Sequence, residues 1–474
     1  MPAERRRSRS FPQLILEQTI IVPGKTVSTH ATTSPDACGC RRLRIAVVPF
    51  GCKVSRIEAQ ALAGALSSTG RPVPGDADVV VLHGCAVTDR AERDQRRFLR
   101  HVRRENVRAT LVVTGCLAAR DPEALARLPE VDLVVGADRL SELPHLLEER
   151  DAGLLPGKIV PSASDRSRGV FAAAFPDGER TRAFLKIQDG CGRRCAFCIV
   201  PSLRGPERSA EPSDVEREIR RLGAAGVAEV VLAGVHLANF GRERGTDLLA
   251  LLSSLESDPP GCRIRLSSLE PMEAGEALVD FVAASRTVVP HLHLPLQSGA
   301  GTVLRRMRRG ITPARFRALA LRAVRRNPRL HLATDLIAGF PGETDAEFEE
   351  TVRFVEELPV ASLHVFPFSP RRGTRGAELH ASSPVPDAAV TRRAARLRRL
   401  GEEKARAFRQ AASGSVADAV ALRGGVVLTD HYLEAALAAS RPPGERLRVR
   451  LEAEGPAAAL KAVPEGEAGS IPPP

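Results

Sequence analysis

Residues 183–201 read AFLKIQDGCGRRCAFCIVP, and the order of residue types here decides how the rest of the chain is read. Ala183–Gln188 is a short, largely apolar run that suits a buried strand, and Asp189-Gly190 ends it. Cys191, Cys195 and Cys198 follow at once in a C-x3-C-x2-C spacing. Three thiolates so close together on a loop can wrap one face of a cubane iron–sulfur cluster and ligate three of its irons. The fourth iron then keeps a position open for a small molecule, as catalytic metal sites do. A structural zinc ion would need a fourth ligand, yet no Cys or His follows at zinc-finger spacing and Cys262 is distant. A disulfide would leave one cysteine of the three unpaired.

Outward from this loop the chain alternates short apolar runs with amphipathic helices. Ala183–Gln188, Glu229–Ala233, Arg263–Ser268, His291–Pro295, Leu330–Ile337 and Ser362–Phe368 are the expected strands, with helices such as Ser213–Ala225 and Thr344–Leu358 between them. Six such units over residues 181–412 predict a partial (β/α)6 barrel, closed by the arginine-rich helix Asp387–Ala412. Residues 413–474 carry the short runs Val426–Thr429 and Leu447–Leu451 between turns and predict a small β domain.

Upstream, residues 42–150 hold the runs Leu43–Phe50, Asp78–His83, Thr110–Gly115 and Asp132–Gly136, with helical spacing between them. That pattern predicts an open parallel α/β domain and places the whole chain in the α/β class. Residues 151–180 are rich in Gly, Pro and Ser and read as a linker. Residues 1–41 open with arginines, lack periodicity and read as a disordered extension, in which Cys38 and Cys40 are incidental.

Strand placement exposes a second cysteine set. Cys52, Cys85 and Cys116 each stand just past the carboxyl end of a predicted strand, and Gly51, Gly84 and Gly115 immediately precede them. In open parallel sheets these ends share one edge, where ligands bind. Glycine there lets the backbone approach something bulky. The competing reading is that cysteine is simply a small buried residue. On the barrel, Glu270, Gln297 and the loop Asp335–Glu343, with two glycines and Pro341, lie at strand ends. Turn chemistry explains each alone, but barrel enzymes build their sites from such loops.

Composition narrows the partners. The 474-residue chain carries a formal net charge of +12 with no Trp and one Tyr. A polyanion would therefore meet arginines such as Arg305–Arg309, Arg371–Arg372 and Arg392–Arg399, not aromatic platforms. Nine cysteines, an odd number spread over the chain, do not resemble a secreted disulfide scaffold. No run of about 18 apolar residues is present, and the apolar segment Phe11–Pro23 is broken by Glu17 and Gln18. A cytoplasmic location with no membrane partner is expected.

The stretches FGCKVSRIEAQ, VVLHGCAVTDRAE, LVVTGCLA, LKIQDGCGRRCAFCIVP, RIRLSSLEP, HLHLPLQSG, TDLIAGFPGETDAEFEET and HVFPFSPRRGT resemble, in the same order, the radical S-adenosylmethionine (SAM) methylthiotransferases. HLHLPLQSG and HVFPFS are most similar to the MtaB-type branch, which acts on N6-threonylcarbamoyladenosine beside tRNA anticodons. The resemblance implies a radical SAM barrel whose Cys191, Cys195 and Cys198 hold a SAM-cleaving 4Fe–4S cluster. It implies a second 4Fe–4S cluster on Cys52, Cys85 and Cys116 that supplies or carries sulfur, and a TRAM-like C-terminal β domain, shortened here. It further implies tRNA as partner, bound at its anticodon loop, and an electron donor such as a flavodoxin or ferredoxin. Gly234, Glu270, Gln297, Asp335 and Pro341 are expected around SAM. Three departures stand out: Ser55 replaces the family's Asn, His83-Gly84 replaces its Asn-Thr, and the extension over residues 1–41 is foreign to the family. Sister readings are action on N6-isopentenyladenosine tRNA or a ribosomal protein. A non-catalytic iron–sulfur protein that binds RNA or carries electrons is the reading from another class.

Overall fold

Val79-Val80-Val81-Leu82 is apolar at every position, the pattern of a strand covered on both faces. In the computed structural model it forms the centre of a sheet whose strands β1 (Ile20–Thr26), β2 (Arg42–Pro49), β3 (Val79–Gly84), β4 (Thr110–Gly115), β5 (Leu133–Val135) and β6 (Ile159–Val160) lie side by side in chain order. The structure describes residues 20–26, 42–66, 75–161, 172–174, 181–437 and 439–465. The chain divides into two units, Met1–Ala174 and Phe175–Pro474.

Strands β2 to β6 are parallel. Helix Lys53–Leu66 covers one face, packing Ala59 and Leu62 against Ile45, Val47, Val79 and Val81. Helix Asp89–Glu105 covers the other through Phe98, Leu99 and Val102. Thr88 caps that helix, Asp89 and Glu92 lie in its first turn, and Arg103 and Arg104 in its last, so its charges oppose its dipole.

Two expectations need correction. Of the supposed disordered extension, residues 1–19 and 27–41, with Cys38 and Cys40, lie outside the described residues. Ile20–Thr26, however, forms β1, antiparallel to β2, with a register shift between Val22 and Lys25 at Pro23-Gly24. The β-branched Ile20-Ile21-Val22 explains the strand. The linker 151–180 likewise gives Ile159–Val160 to the sheet as β6, and Ala172–Ala174 forms a short strand, β7. A run of two or three apolar residues is too short to show periodicity in a sequence.

The second unit carries six parallel strands in chain order, a partial (β/α)6 barrel as expected. β8 (Arg182–Asp189), β10 (Glu229–Gly234) and β11 (Arg263–Leu266) form one sheet, with the short β9 (Arg208–Ser209) antiparallel to β8. β12 (His291–His293), β13 (His331–Ala338) and β14 (Ser362–Pro367) form another. The Leu269 N–H donates to the His293 carbonyl at 2.8 Å and the Ile264 N–H to that of Thr287 at 2.9 Å, joining the two sheets. Helix Asp387–Ala412 packs against β14 and leads into β15 (Val416–Leu422), β16 (Val426–Thr429), β17 (Glu434–Leu437), β18 (Arg446–Glu454) and β19 (Ala459–Pro464). These five close into a barrel. On β18, Leu447, Val449 and Leu451 point inward while Arg448, Arg450 and Glu452 alternate outward.

The small barrel docks on the strand beginnings of the large one. Fully buried Glu229 accepts from Arg182 Nε (2.7 Å), Arg263 Nε (2.8 Å) and Arg265 Nη2 (2.8 Å). Arg263 and Arg265 then donate to the carbonyls of Leu428 (2.9 Å) and Thr429 (3.1 Å). Burial opposes ionisation of Glu229, but the three guanidiniums outweigh it and hold its carboxyl well below the usual range. Removing one partner from such a buried cluster costs on the order of 3–5 kcal/mol.

His331 is buried at the same junction, its ring against those of His291, Phe408 and Tyr432. Burial, reinforced by Arg265, pushes its pKa from 6.5 down to about 3. The unfolded chain therefore binds a proton that the folded chain refuses. This histidine's contribution to stability is complete above about pH 6.5 and is lost as pH falls toward 3. Chemical denaturation of wild type and His331→Phe across that window is expected to show a steeper decline for wild type, by up to ~1.4 kcal/mol per pH unit.

Candidate functional site

The loop after β8 is pinned before any ligand arrives. Gly190 has φ +72°, and a Cβ placed on it would lie 1.8 Å from the Pro206 carbonyl oxygen. Asp189 receives Lys186 Nζ (2.8 Å), Arg204 Nη1 (3.0 Å) and the Gly190 N–H (2.8 Å). Beyond it the Cys191 N–H donates to the Gly205 carbonyl at 3.1 Å and the Ala196 N–H to that of Met307 at 2.8 Å. Cys191, Cys195 and Cys198 are free and partly exposed at the carboxyl end of the strands. Burial, with the Cys195 and Cys191 thiols beside it, pushes the Cys198 thiol up to about 12.

Charged groups surround these sulfurs. His236 Nδ1 lies 3.7 Å from Cys191 Sγ and 2.7 Å from Glu207 Oε1, and Nε2 lies 3.6 Å from Glu273 Oε2. Burial would lower the His236 pKa, but Cys191, Glu273 and Glu207 together raise it to about 10. Arg309 grips both oxygens of Glu270 at 2.7 and 2.8 Å, donates to the Pro295 carbonyl at 2.7 Å, and approaches Cys195 Sγ at 3.6 Å. Arg193 pairs with Glu273 at 2.7 Å.

The expected SAM-side residues fall at the same strand ends. Gly234 ends β10, and a Cβ there would meet the Gln188 side chain at 2.9 Å. Glu270 precedes helix Pro271–Ala284 and is neutralised by Arg309. Gln297 takes φ +82°, its N–H bonded to the Asp335 carbonyl (2.8 Å) and its carbonyl to the Ile337 N–H (2.9 Å). Asp335 accepts His293 Nε2 (2.7 Å) and His364 Nδ1 (3.0 Å) on one oxygen. Burial opposes this charge, but the two imidazoles draw its pKa down to about 2. Pro341 lies in a tight loop where the Gly339 N–H donates to Glu343 at 2.9 Å. Sequence reasoning missed His236, Glu207, Glu273, His293 and His364, and it grouped Arg309 with arginines facing a polyanion, whereas Arg309 is buried because Glu270 holds it at the mouth. Their one-dimensional signal is weak, although His293 sits within HLHLPLQ, two residues before Pro295.

In the first unit Cys85 and Cys116 are buried and Cys52 is exposed. Burial first, then the Cys52 and Cys116 thiols, push the Cys85 thiol up to about 11. Gln95 clamps the Cys85 backbone, accepting its N–H (2.9 Å) and donating to its carbonyl (2.8 Å). A Cβ on Gly51 would lie 2.5 Å from Cys85 Sγ, and one on Gly115 2.7 Å from the Gly84 carbonyl. The two substitutions in the family wording prove to be partners. Ser55 Oγ donates to the Phe50 carbonyl (2.9 Å) and meets His83 Nδ1 at 2.8 Å.

A (β/α)6 barrel with a three-cysteine loop at its mouth defines the chain as a radical SAM enzyme, dependent on SAM and iron–sulfur chemistry. Residues 185–355 match the radical SAM superfamily, and residues 44–136 match the uncharacterized protein family UPF0004. The chain is 31% identical to the threonylcarbamoyladenosine tRNA methylthiotransferase MtaB of Aquifex aeolicus, over 86% of this chain and all of that protein. It is 37% identical to the Bacillus subtilis MtaB, over 71% of this chain and 75% of that one. It is 35% identical to a tRNA-2-methylthio-N(6)-dimethylallyladenosine synthase of Parafrankia, over 79% and 77% respectively. The chain belongs to the radical SAM methylthiotransferases, in the MtaB-type branch.

The pinned loop yields a test. Gly190→Ala combines a positive φ with a backbone collision. It is expected to lower iron content after anaerobic reconstitution, with far-UV circular dichroism unchanged.

Proposed function

We propose that this enzyme methylthiolates C2 of N6-threonylcarbamoyladenosine in the anticodon loop of tRNA. Cys191, Cys195 and Cys198 hold one 4Fe–4S cluster, and Cys52, Cys85 and Cys116 hold a second. The observation that carries the reading is the pair of cysteine triads at strand ends, each entered through a glycine whose Cβ would collide with its surroundings. The donor set fits: crowded, partly desolvated thiols are poor as neutral neighbours, whereas deprotonated on iron they become ligands.

The adenine C2–H bond has no useful acidity, so when bound the clusters and SAM supply the one-electron chemistry that side chains lack. The chain's own residues position and shield. Gly234, Glu270, Gln297, Asp335 and Pro341 line the SAM side of the mouth. Arg309 keeps Glu270 compensated and, with His236, offers N–H groups toward the cysteine sulfurs. Ala196, Met307 and Phe340, flanked by Phe197 and Phe368, make an apolar floor beneath the loop that excludes water. The formal charge of +12 and the outward Arg448 and Arg450 of the C-terminal barrel suit tRNA phosphates. A small redox protein such as a flavodoxin or ferredoxin supplies electrons, and the enzyme works in the cytoplasm. Among the described residues no helix is long and apolar enough to cross a membrane.

Nucleoside mass spectrometry of tRNA from strains with and without the gene tests the substrate. The methylthio form of threonylcarbamoyladenosine should vanish in the deletion and return on complementation. Its persistence refutes the assignment, and loss of the dimethylallyl counterpart instead transfers it to that substrate. Anaerobic SAM cleavage separates the cluster roles. Cys191→Ala is expected to abolish cleavage, whereas Cys52→Ala keeps it and loses sulfur insertion, each with about half the iron.

A further inference from the structure

The last strand of the half-barrel, β14, is left open on the described side away from β13, and its two faces differ. Leu363 faces the helix layer, where its Cβ would stand 3.1 Å from a Cβ placed on Gly401. Alternation turns His364 and Phe366 to the opposite, concave face, in register with Asp335 and Ile337 of β13. His364 is 52% exposed and Phe366 46%, and Phe366 is the one exposed phenylalanine among the described residues. An uncovered aromatic on the inner face of an enzyme barrel, beside the strand ends of the site, suits a planar ligand.

His364 is not loose despite its exposure. Ser268 Oγ donates to His293 Nδ1 at 2.7 Å, and His293 Nε2 donates to Asp335 Oδ1 at 2.7 Å. His364 Nδ1 donates to the same oxygen at 3.0 Å, and the two imidazoles meet edge to face at 5.0 Å. This belt crosses from the end of β11 to β14. Held through Nδ1, His364 has Nε2 to offer: an acceptor when neutral, and a charged donor countered by Asp335 when protonated.

We propose that this face seats the target nucleotide, with Phe366 stacking on the adenine and His364 reading the polar N6 substituent through Nε2. The inference rests on the proposed substrate, whose threonylcarbamoyl group ends in a hydroxyl and a carboxylate. A dimethylallyl group has neither and gives His364 nothing to bond. Phe366 is indifferent to the substituent, since every adenine presents the same π face. The two residues therefore divide affinity from discrimination.

Steady-state kinetics of the reconstituted full-length enzyme on anticodon stem-loops carrying threonylcarbamoyl- or dimethylallyl-adenosine test this. His364→Phe should raise KM for the threonylcarbamoyl substrate tenfold or more with a smaller change in kcat, and His364→Gln should recover part of the loss. Phe366→Leu should raise KM about fivefold or more for any adenosine the enzyme accepts, with Phe366→Tyr restoring it. Iron content and cluster absorbance show that each variant is loaded. If wild type turns over the threonylcarbamoyl substrate and the His364 variants keep its KM, this inference fails while the proposed function stands. If wild type leaves that substrate untouched, the substrate reading fails and takes this inference with it. A stoichiometric metal ion beyond the cluster iron, lost with His364→Phe, would make His293, Asp335 and His364 a metal site instead.

Discussion

Parallel strands joined by crossovers must all end at the same edge of their sheet. Both halves of this chain depend on that constraint. In the first unit it gathers Cys52, Cys85 and Cys116, whose nearest neighbours in sequence are about thirty residues apart, until the thiols perturb one another. In the second it brings the loop after β8, Glu270 after β11 and Gln297 after β12 to one mouth. Cysteines placed elsewhere on these strands would point into helix packing, where aliphatic side chains already fill the space.

Charge is buried at both ends of the large barrel, and the structure handles it the same way each time. At the base, Glu229 is met by three arginines that also satisfy carbonyls of the small barrel, so one network joins the two. At the mouth, Arg309 joins Glu270, the Pro295 carbonyl and the neighbourhood of Cys195. Desolvated charges are tolerable only with close, well-directed partners. The result is a mouth whose polar groups are already oriented, the condition under which positioned groups act without reorganising. Ser55 and His83 show the same economy: two departures from the family pattern bonded to each other, leaving the cysteines where they are.

Much of the site was legible in the sequence because its chemistry sits in contiguous or strand-terminal residues. Cys191, Cys195 and Cys198 lie within one loop, and the glycines before Cys52, Cys85 and Cys116 mark close approaches that a Cβ would block. Helix Asp387–Ala412 has the predicted limits because its apolar spacing is long enough to be unambiguous. The short elements β1, β6 and β7 were hidden because two to seven residues in extended form carry little pattern. Histidine and arginine were hidden for another reason: as residue types they are common on surfaces, and only their partners reveal a role.

Residue order by itself determined the α/β class, the two cysteine triads and the family. Each depends on local period or on a spacing along the chain. Tertiary structure decided which distant groups meet: His236 with Cys191, Arg309 with Glu270 and Cys195, Ser55 with His83, and the belt from Ser268 to His364. It also closed the last five strands into a barrel and seated them on Arg263 and Arg265. These pairings are set by how strands are ordered and which face each side chain takes. A sequence records neither directly, because hydrogen bonds act across a few ångströms of space whatever the distance along the chain.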